Sequence, residues 1–160
     1  MLLSAAFMAL AVLLLVLLHC IHRTMPGPLY WAFGMTLLSV GAFFVYERAG
    51  LPDLVTVLLA NVMIYAGYAL LGVGNLLFMQ RRVPWGMIFG AVCLLSIPFV
   101  FSYDDPSTLI DRIIFGSVGL GLLAFFCAWA LRWGKGSAAQ TLLSVVFLLH
   151  GIVLFTRAVW

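Results

Sequence analysis

The sequence predicts an all-helical membrane protein, a polytopic bundle of about six transmembrane helices, and three observations carry that prediction. Of 160 residues, 66% are hydrophobic and only 8% are charged, whereas a soluble domain has a near-even apolar share and about one-quarter charged residues. The apolar residues come in long runs, each near the roughly 20 residues that span a bilayer as a helix. The runs also lack the alternation of apolar and polar positions that a transmembrane barrel strand requires. A lipid-facing backbone must satisfy its own hydrogen bonds, so runs of this kind mean helices.

The six segments are Leu2–Ile21, Leu29–Tyr46, Leu54–Met79, Pro84–Phe101, Leu109–Leu131 and Ala138–Thr156, and together they make residues 1–160 a single domain. The first has no basic start and is too long for a signal-peptide core, so it reads as a retained anchor. The stretch Leu17-Leu18-His19-Cys20 has a bulky histidine where a lipoprotein cleavage site needs a small residue. Between the segments lie Met25-Pro26-Gly27-Pro28, Ala49-Gly50-Leu51-Pro52-Asp53, Asp104-Asp105-Pro106 and Gly134-Lys135-Gly136-Ser137, all turn chemistry. Asp105 before Pro106 also reads as a helix cap with proline in the first turn.

Charge sets the expected orientation. The first, third and fifth connections hold Arg23, Arg81, Arg82, Arg132 and Lys135, while the second and fourth hold Arg48 and Arg112 among Glu47, Asp53, Asp104, Asp105 and Asp111. Cytoplasmic loops retain Lys and Arg, so both termini are expected outside a bacterial inner membrane. These cations sit at segment ends and form no patch for nucleic acid. Tyr30, Trp31, Tyr46, Trp85, Tyr103, Trp133 and Trp160 fit an interfacial aromatic belt. Cys20, Cys93 and Cys127 stand singly, which excludes a disulfide framework or a CxxC motif.

Small residues mark expected packing faces: Gly86 and Gly90 in the fourth segment, Ser117 and Gly121 in the fifth. Pro98 is expected to kink the fourth helix. The third segment carries Asn61, Tyr65, Tyr68, Gly72 and Asn75 at spacings of 4, 3, 4 and 3, which is one helix face. Polar groups in hydrocarbon need partners, so this face turns into the bundle, either as interhelical hydrogen bonds or as the wall of a ligand pocket. His150 lies mid-membrane in the sixth segment. At 1.5 Å per residue both His150 and Asn61 lie about 12 Å from the outer side. Asn61, Tyr65, Tyr68 and His150 are therefore the candidate ligand-binding residues, with Asn61, Tyr65 and His150 expected on one cavity.

No cofactor is predicted. A bis-histidine haem needs two imidazoles at one depth, and His19 and His22 lie roughly 15 Å in depth from His150 by the same rise. No Ser/His/Asp set, intramembrane carboxylate pair or phosphate-binding glycine loop is present, and Asp111 and Arg112 are expected to sit at the interface or to pair with neighbours.

The stretch Leu51-Pro52-Asp53-Leu54-Val55-Thr56-Val57-Leu58-Leu59-Ala60-Asn61, continuing through Ala66-Gly67-Tyr68-Ala69-Leu70-Leu71 to Arg81-Arg82, resembles the membrane-embedded input region of bacterial diguanylate cyclases. The preceding hairpin, His22-Arg23-Thr24-Met25-Pro26-Gly27 and Leu29-Tyr30-Trp31-Ala32-Phe33-Gly34, belongs to the same likeness. It covers the first half of the chain, and the second half only in hydropathy. The resemblance implies a sensor that feeds a cytoplasmic GGDEF domain and works as a homodimer through a helix face. No GGDEF motif stands in this chain, so it is not expected to be an enzyme. An output domain in the cytoplasm implies a seventh helix after Trp160. The other readings are a small transporter or channel, disfavoured by the lack of a deep carboxylate and of an obvious inverted repeat, and a haem-binding membrane protein.

Overall fold

The computed structural model describes residues 2–21, 25–132 and 137–159. What the sequence suggested for His22, Arg23, Trp133, Lys135 and Trp160 lies outside those residues. The described chain forms α1 (Leu2–Ile21), α2 (Gly27–Tyr46), α3 (Ala60–Phe78), α4 (Trp85–Ser102), α5 (Leu109–Arg132) and α6 (Ala138–Val159). A six-residue π-helix, Leu54–Leu59, runs directly into α3. Among the described residues there is no strand. Among the described residues five segments, α2, the joined Leu54–Phe78, α4, α5 and α6, are long and apolar enough to cross a membrane. The chain is a multi-pass helical bundle of the membrane. Its surface agrees, since Met87, Phe89, Phe101 and Val159 stand exposed where only lipid could cover them without cost.

Successive helices run antiparallel. α3 lies at the centre, against α2, α4 and α5, while α1 packs on α2 and α6 on α5. One end of the bundle gathers Arg81, Arg82 and Arg132 and is called the basic end below; the other carries Asp53, Asp104 and Asp105.

The tightest seam joins α2 to α3. Gly27 faces Gly74, Gly34 faces Gly67 and Gly41 faces Ala60, so small residues recur every seven positions on both helices. A Cβ added to Gly34 would lie 2.8 Å from the Gly67 carbonyl oxygen, and one added to Gly67 2.8 Å from that of Gly34. A seven-residue repeat keeps one seam facing its partner along the whole length of two helices. Arg48 and Asp53, 4.0 Å apart, continue the same antiparallel register beyond the helix ends. Both are exposed, so that pair contributes about 0–1 kcal/mol at most.

The seams to α5 and α6 use glycine differently, as seats for rings. Gly72 on α3 receives Phe126, and Gly119 on α5 receives Tyr65. Between α5 and α6, Gly121 receives Phe155 and Gly151 receives Phe125, and the two phenyl rings stack at 5.5 Å. The Ser117 and Gly121 face thus packs inward, with Ser117 buried. Gly86 and Gly90 differ: nothing lies within 4 Å of either position. The GxxxG of α4 is not a contact within this chain, because α4 meets α3 and α5 through the opposite side, where Phe99 is buried edge-on against Tyr65.

Local signals fix the ends. Ser137 and Gln140 form a reciprocal capping box, Gln140 N–H donating to Ser137 Oγ and Ser137 N–H to Gln140 Oε1. Asp105 caps the turn that leads into α5, accepting from both the Ser107 N–H and hydroxyl. Those two hydrogen bonds, with Arg112 nearby, hold its carboxyl below the ordinary value. Arg112 is buried by folding back, its guanidinium donating to the Asp105 carbonyl at 2.5 Å and to Thr108 Oγ1 at 3.1 Å. It pairs with neighbours, as expected. α4 continues through Pro98.

The two kinds of glycine give opposite expectations. Gly34→Ala should lower the stability of the folded protein in detergent by about 1–3 kcal/mol, the cost of overpacking a tight seam. Gly86→Ala should leave it unchanged or raise it by up to about 1 kcal/mol through helix propensity. Thermal unfolding followed by circular dichroism reads both; equal effects at the two positions would contradict the seam.

Candidate functional site

The polar face of α3 is resolved residue by residue, and each member meets a different partner. Nearest the acidic end, Asn61 donates from Nδ2 to the Val57 carbonyl of its own chain at 2.6 Å. Val57 lies in the π-helix, where the backbone turn is wider by one residue and carbonyls fall out of step with the α-helix that follows. The Val57 carbonyl accepts from the Ala60 N–H as well as from the asparagine amide. The signal of Asn61 in the sequence was polarity at the right spacing, but the π-turn that uses it has no pattern of its own.

Tyr65 has 0% exposure, and its hydroxyl donates to the Phe115 carbonyl of α5 at 3.2 Å. A side chain without accessible surface lines no open cavity. Its ring instead fills the core of the acidic-end half with Val57, Phe99 and Leu123.

Tyr68 and His150 do come together. The tyrosine oxygen lies 2.6 Å from His150 Nε2, and the two rings are nearly parallel, 9° apart, with centroids 6.0 Å apart. This ties α3 to α6 at mid-depth. The tyrosine ring is half-buried and the histidine is exposed on the outer surface of the bundle. His150 therefore meets Tyr68 and not Asn61, which lies seven residues, about 10 Å, nearer the acidic end along the helix. The reason for the offset is the glycine seats. Gly119 against Tyr65 sets α5 relative to α3, Gly151 against Gly121 and Phe125 sets α6 relative to α5, and His150 follows Gly151. Counting rise per residue from the outer side places His150 too near the acidic end.

Asn75, at 1% exposure, joins three helices: its Oδ1 accepts from Trp31 Nε1 of α2 at 3.0 Å and its Nδ2 donates to the Cys127 carbonyl of α5 at 3.2 Å. The Trp31 indole packs into the room that Gly74 leaves. The Cys127 thiol, fully buried, donates to the Tyr68 carbonyl at 3.4 Å. Tyr65, Tyr68 and Asn75 thus form a seam of interhelical hydrogen bonds, Asn61 bonds within its own helix, and the Tyr68–His150 pair reaches the bundle surface. His19 is elsewhere, at the end of α1, with Nδ1 3.2 Å from the Met25 carbonyl. Among the described residues no three His, Cys, Asp or Glu side chains converge on a metal position.

A double-mutant cycle on Tyr68→Phe and His150→Phe should return a coupling of about 0.6 kcal/mol, with about 1.7 as the upper range for side-chain hydrogen bonds between membrane helices. Unfolding in mild detergent measures it. Additive single-mutant effects would mean that the contact carries no energy.

Comparison with known proteins found no match to a family model, to a curated protein or to a solved structure.

Proposed function

We propose that the chain is the transmembrane signal-input module of a bacterial receptor, in which α6 changes its position against α3 and passes that change to an output domain. The observation that carries this reading is the Tyr68–His150 contact. α6 is seated on α5 by its glycine and phenylalanine interlock and by the Ser144 hydroxyl bond to the Ala128 carbonyl, but at mid-depth its polar tie to the central helix is the Tyr68–His150 hydrogen bond at the surface of the bundle. A ligand or a change of the membrane that competes for either partner has a two-state element to bias. Ionisable groups at this depth are costly and mark function by default. The likeness of Leu51–Leu71 to the input regions of diguanylate cyclases supports the same reading, with a cyclase as the output and the basic end in the cytoplasm.

Spin labels at Leu54 and Val159, in a background free of Cys20, Cys93 and Cys127, read the α3–α6 distance in nanodiscs. Two distance populations are expected, with their ratio moved by His150→Phe. A single distance, identical with and without that substitution, would end the proposal.

Such modules act in pairs, and α4 offers the face for it. Gly86, Gly90 and the exposed Cys93 lie at i, i+4 and i+7, on one side of the helix, with open space before the glycines. Oxidation of the Cys20→Ser protein in membranes should give a Cys93-linked dimer, and Gly90→Leu should abolish it. A protein that stays monomeric under oxidation and in mild detergent argues against pairing through α4.

A further inference from the structure

The turn between α3 and α4 builds a second feature, at the basic end and remote from the Tyr68–His150 pair. α3 ends at Phe78, and the chain closes on itself there: Gln80 N–H donates to the Leu77 carbonyl at 2.9 Å and Arg81 N–H to that of Leu76 at 2.8 Å. This is the two-bond helix stop that normally places glycine in the left-handed position. Here that position is Gln80, at φ 55°, a conformation that costs a non-glycine residue free energy and persists only where the surroundings enforce it. Gln140 at the start of α6 donates to Met79 Sδ at 3.7 Å and helps hold the turn.

The turn delivers Arg81, Arg82, Val83 and Pro84 across from α5. With Leu76 and Trp129 they line an open groove of about 360 Å³. That volume lies within the range of small-ligand sites, about 300–1,000 Å³. The groove combines two features. Leu76, Val83, Pro84 and the indole make apolar walls, and two adjacent arginines stand at their rim. Its place is the end of the bundle where Arg132 also lies, one helical turn from Trp129. A soluble phosphate would find the cations but gain nothing from the walls. A phospholipid uses both, its phosphate at the guanidinium groups and its first acyl carbons along the apolar side. Arginine forks match phosphate oxygens in geometry as well as charge, and basic pockets between helices at the cytoplasmic face are where anionic lipids bind.

We propose that the groove formed by Leu76, Arg81, Arg82, Val83, Pro84 and Trp129 is a binding site for the headgroup of an anionic phospholipid. The lipid clamps the α3–α4 turn to α5. Binding there does not require the Tyr68–His150 contact, so it stands or falls separately from the signal-input function.

Native mass spectrometry of the full chain in neutral detergent tests it, with phosphatidylglycerol, phosphatidylcholine of the same acyl chains, and inorganic phosphate as probes. Phosphatidylglycerol should stay bound under activation that strips phosphatidylcholine. Arg82→Gln should weaken it about fivefold and Arg81→Gln with Arg82→Gln by more than tenfold, from the contribution of each cation near a membrane surface. Arg82→Lys should keep most of the binding, which separates charge from loss of fold. Arg48→Gln, at the opposite end, should change nothing. The proposal is overturned if the two lipids are retained equally, if the double substitution leaves phosphatidylglycerol binding intact, if Arg48→Gln weakens it as much as Arg82→Gln, or if inorganic phosphate displaces the lipid at equal concentration.

Discussion

Within hydrocarbon no hydrophobic effect draws one helix toward another, so association has to come from close packing and from polar groups that find partners. The seam between α2 and α3 meets the first requirement along its full length. Its small residues, spaced by seven on both helices, bring each backbone against the carbonyls of the other at three levels. At such approach, weak Cα–H···O contacts and dispersion both gain. α3 owes its central place to this. With one side held flush against α2, its other sides are free to carry rings and polar groups toward α4 and α5. A chain whose α2 and α3 were held further apart would lose the Trp31–Asn75 bond and, through Asn75, the tie to Cys127.

Polar residues meet the second requirement, and they do it in graded fashion. Asn75 is enclosed and makes bonds to two other helices, Tyr65 is enclosed and makes one, and Tyr68 reaches the surface to meet His150. Among the described residues no buried side-chain nitrogen or oxygen lacks a partner. An unpartnered one would cost several kcal/mol in lipid. The gradient matters for motion. Contacts enclosed on all sides open only with the whole bundle, whereas a hydrogen bond at the rim can exchange for another partner. The rim bond is also the one that ties the middle of α3 to α6.

α4 and α6 stand at the periphery, each with a small share of its surface inside the bundle. Phe99 seats α4 against Tyr65, while α6 lies along α5 through Gly151, Leu154, Phe155 and the Ser144–Ala128 hydrogen bond. Between α3 and α4 the strained Gln80 holds two arginines beside a tryptophan. α6 is packed along the length of α5, whereas α4 meets its neighbours more sparsely and leans on the lipid around it.

The sequence by itself determined the class of the protein, the number of helices and nearly all their limits, because hydrophobic length and turn residues are local properties that the bilayer reads directly. It also picked out the face of α3 that carries the interhelical bonds, since side chains at spacings of three and four must share a side of any helix. The pairings were decided by tertiary structure. Which glycines would touch could not be read from GxxxG spacing: Gly86 and Gly90 have the motif and open space, whereas Gly34 and Gly67 lack it and touch. The difference lies in what stands opposite, and that is a property of two helices. Depth was misjudged for the same reason. His150 meets Tyr68 two turns away from Asn61, because glycine seats on α5 set how far α6 slides along its neighbours, and a count of residues from the outer side does not register them.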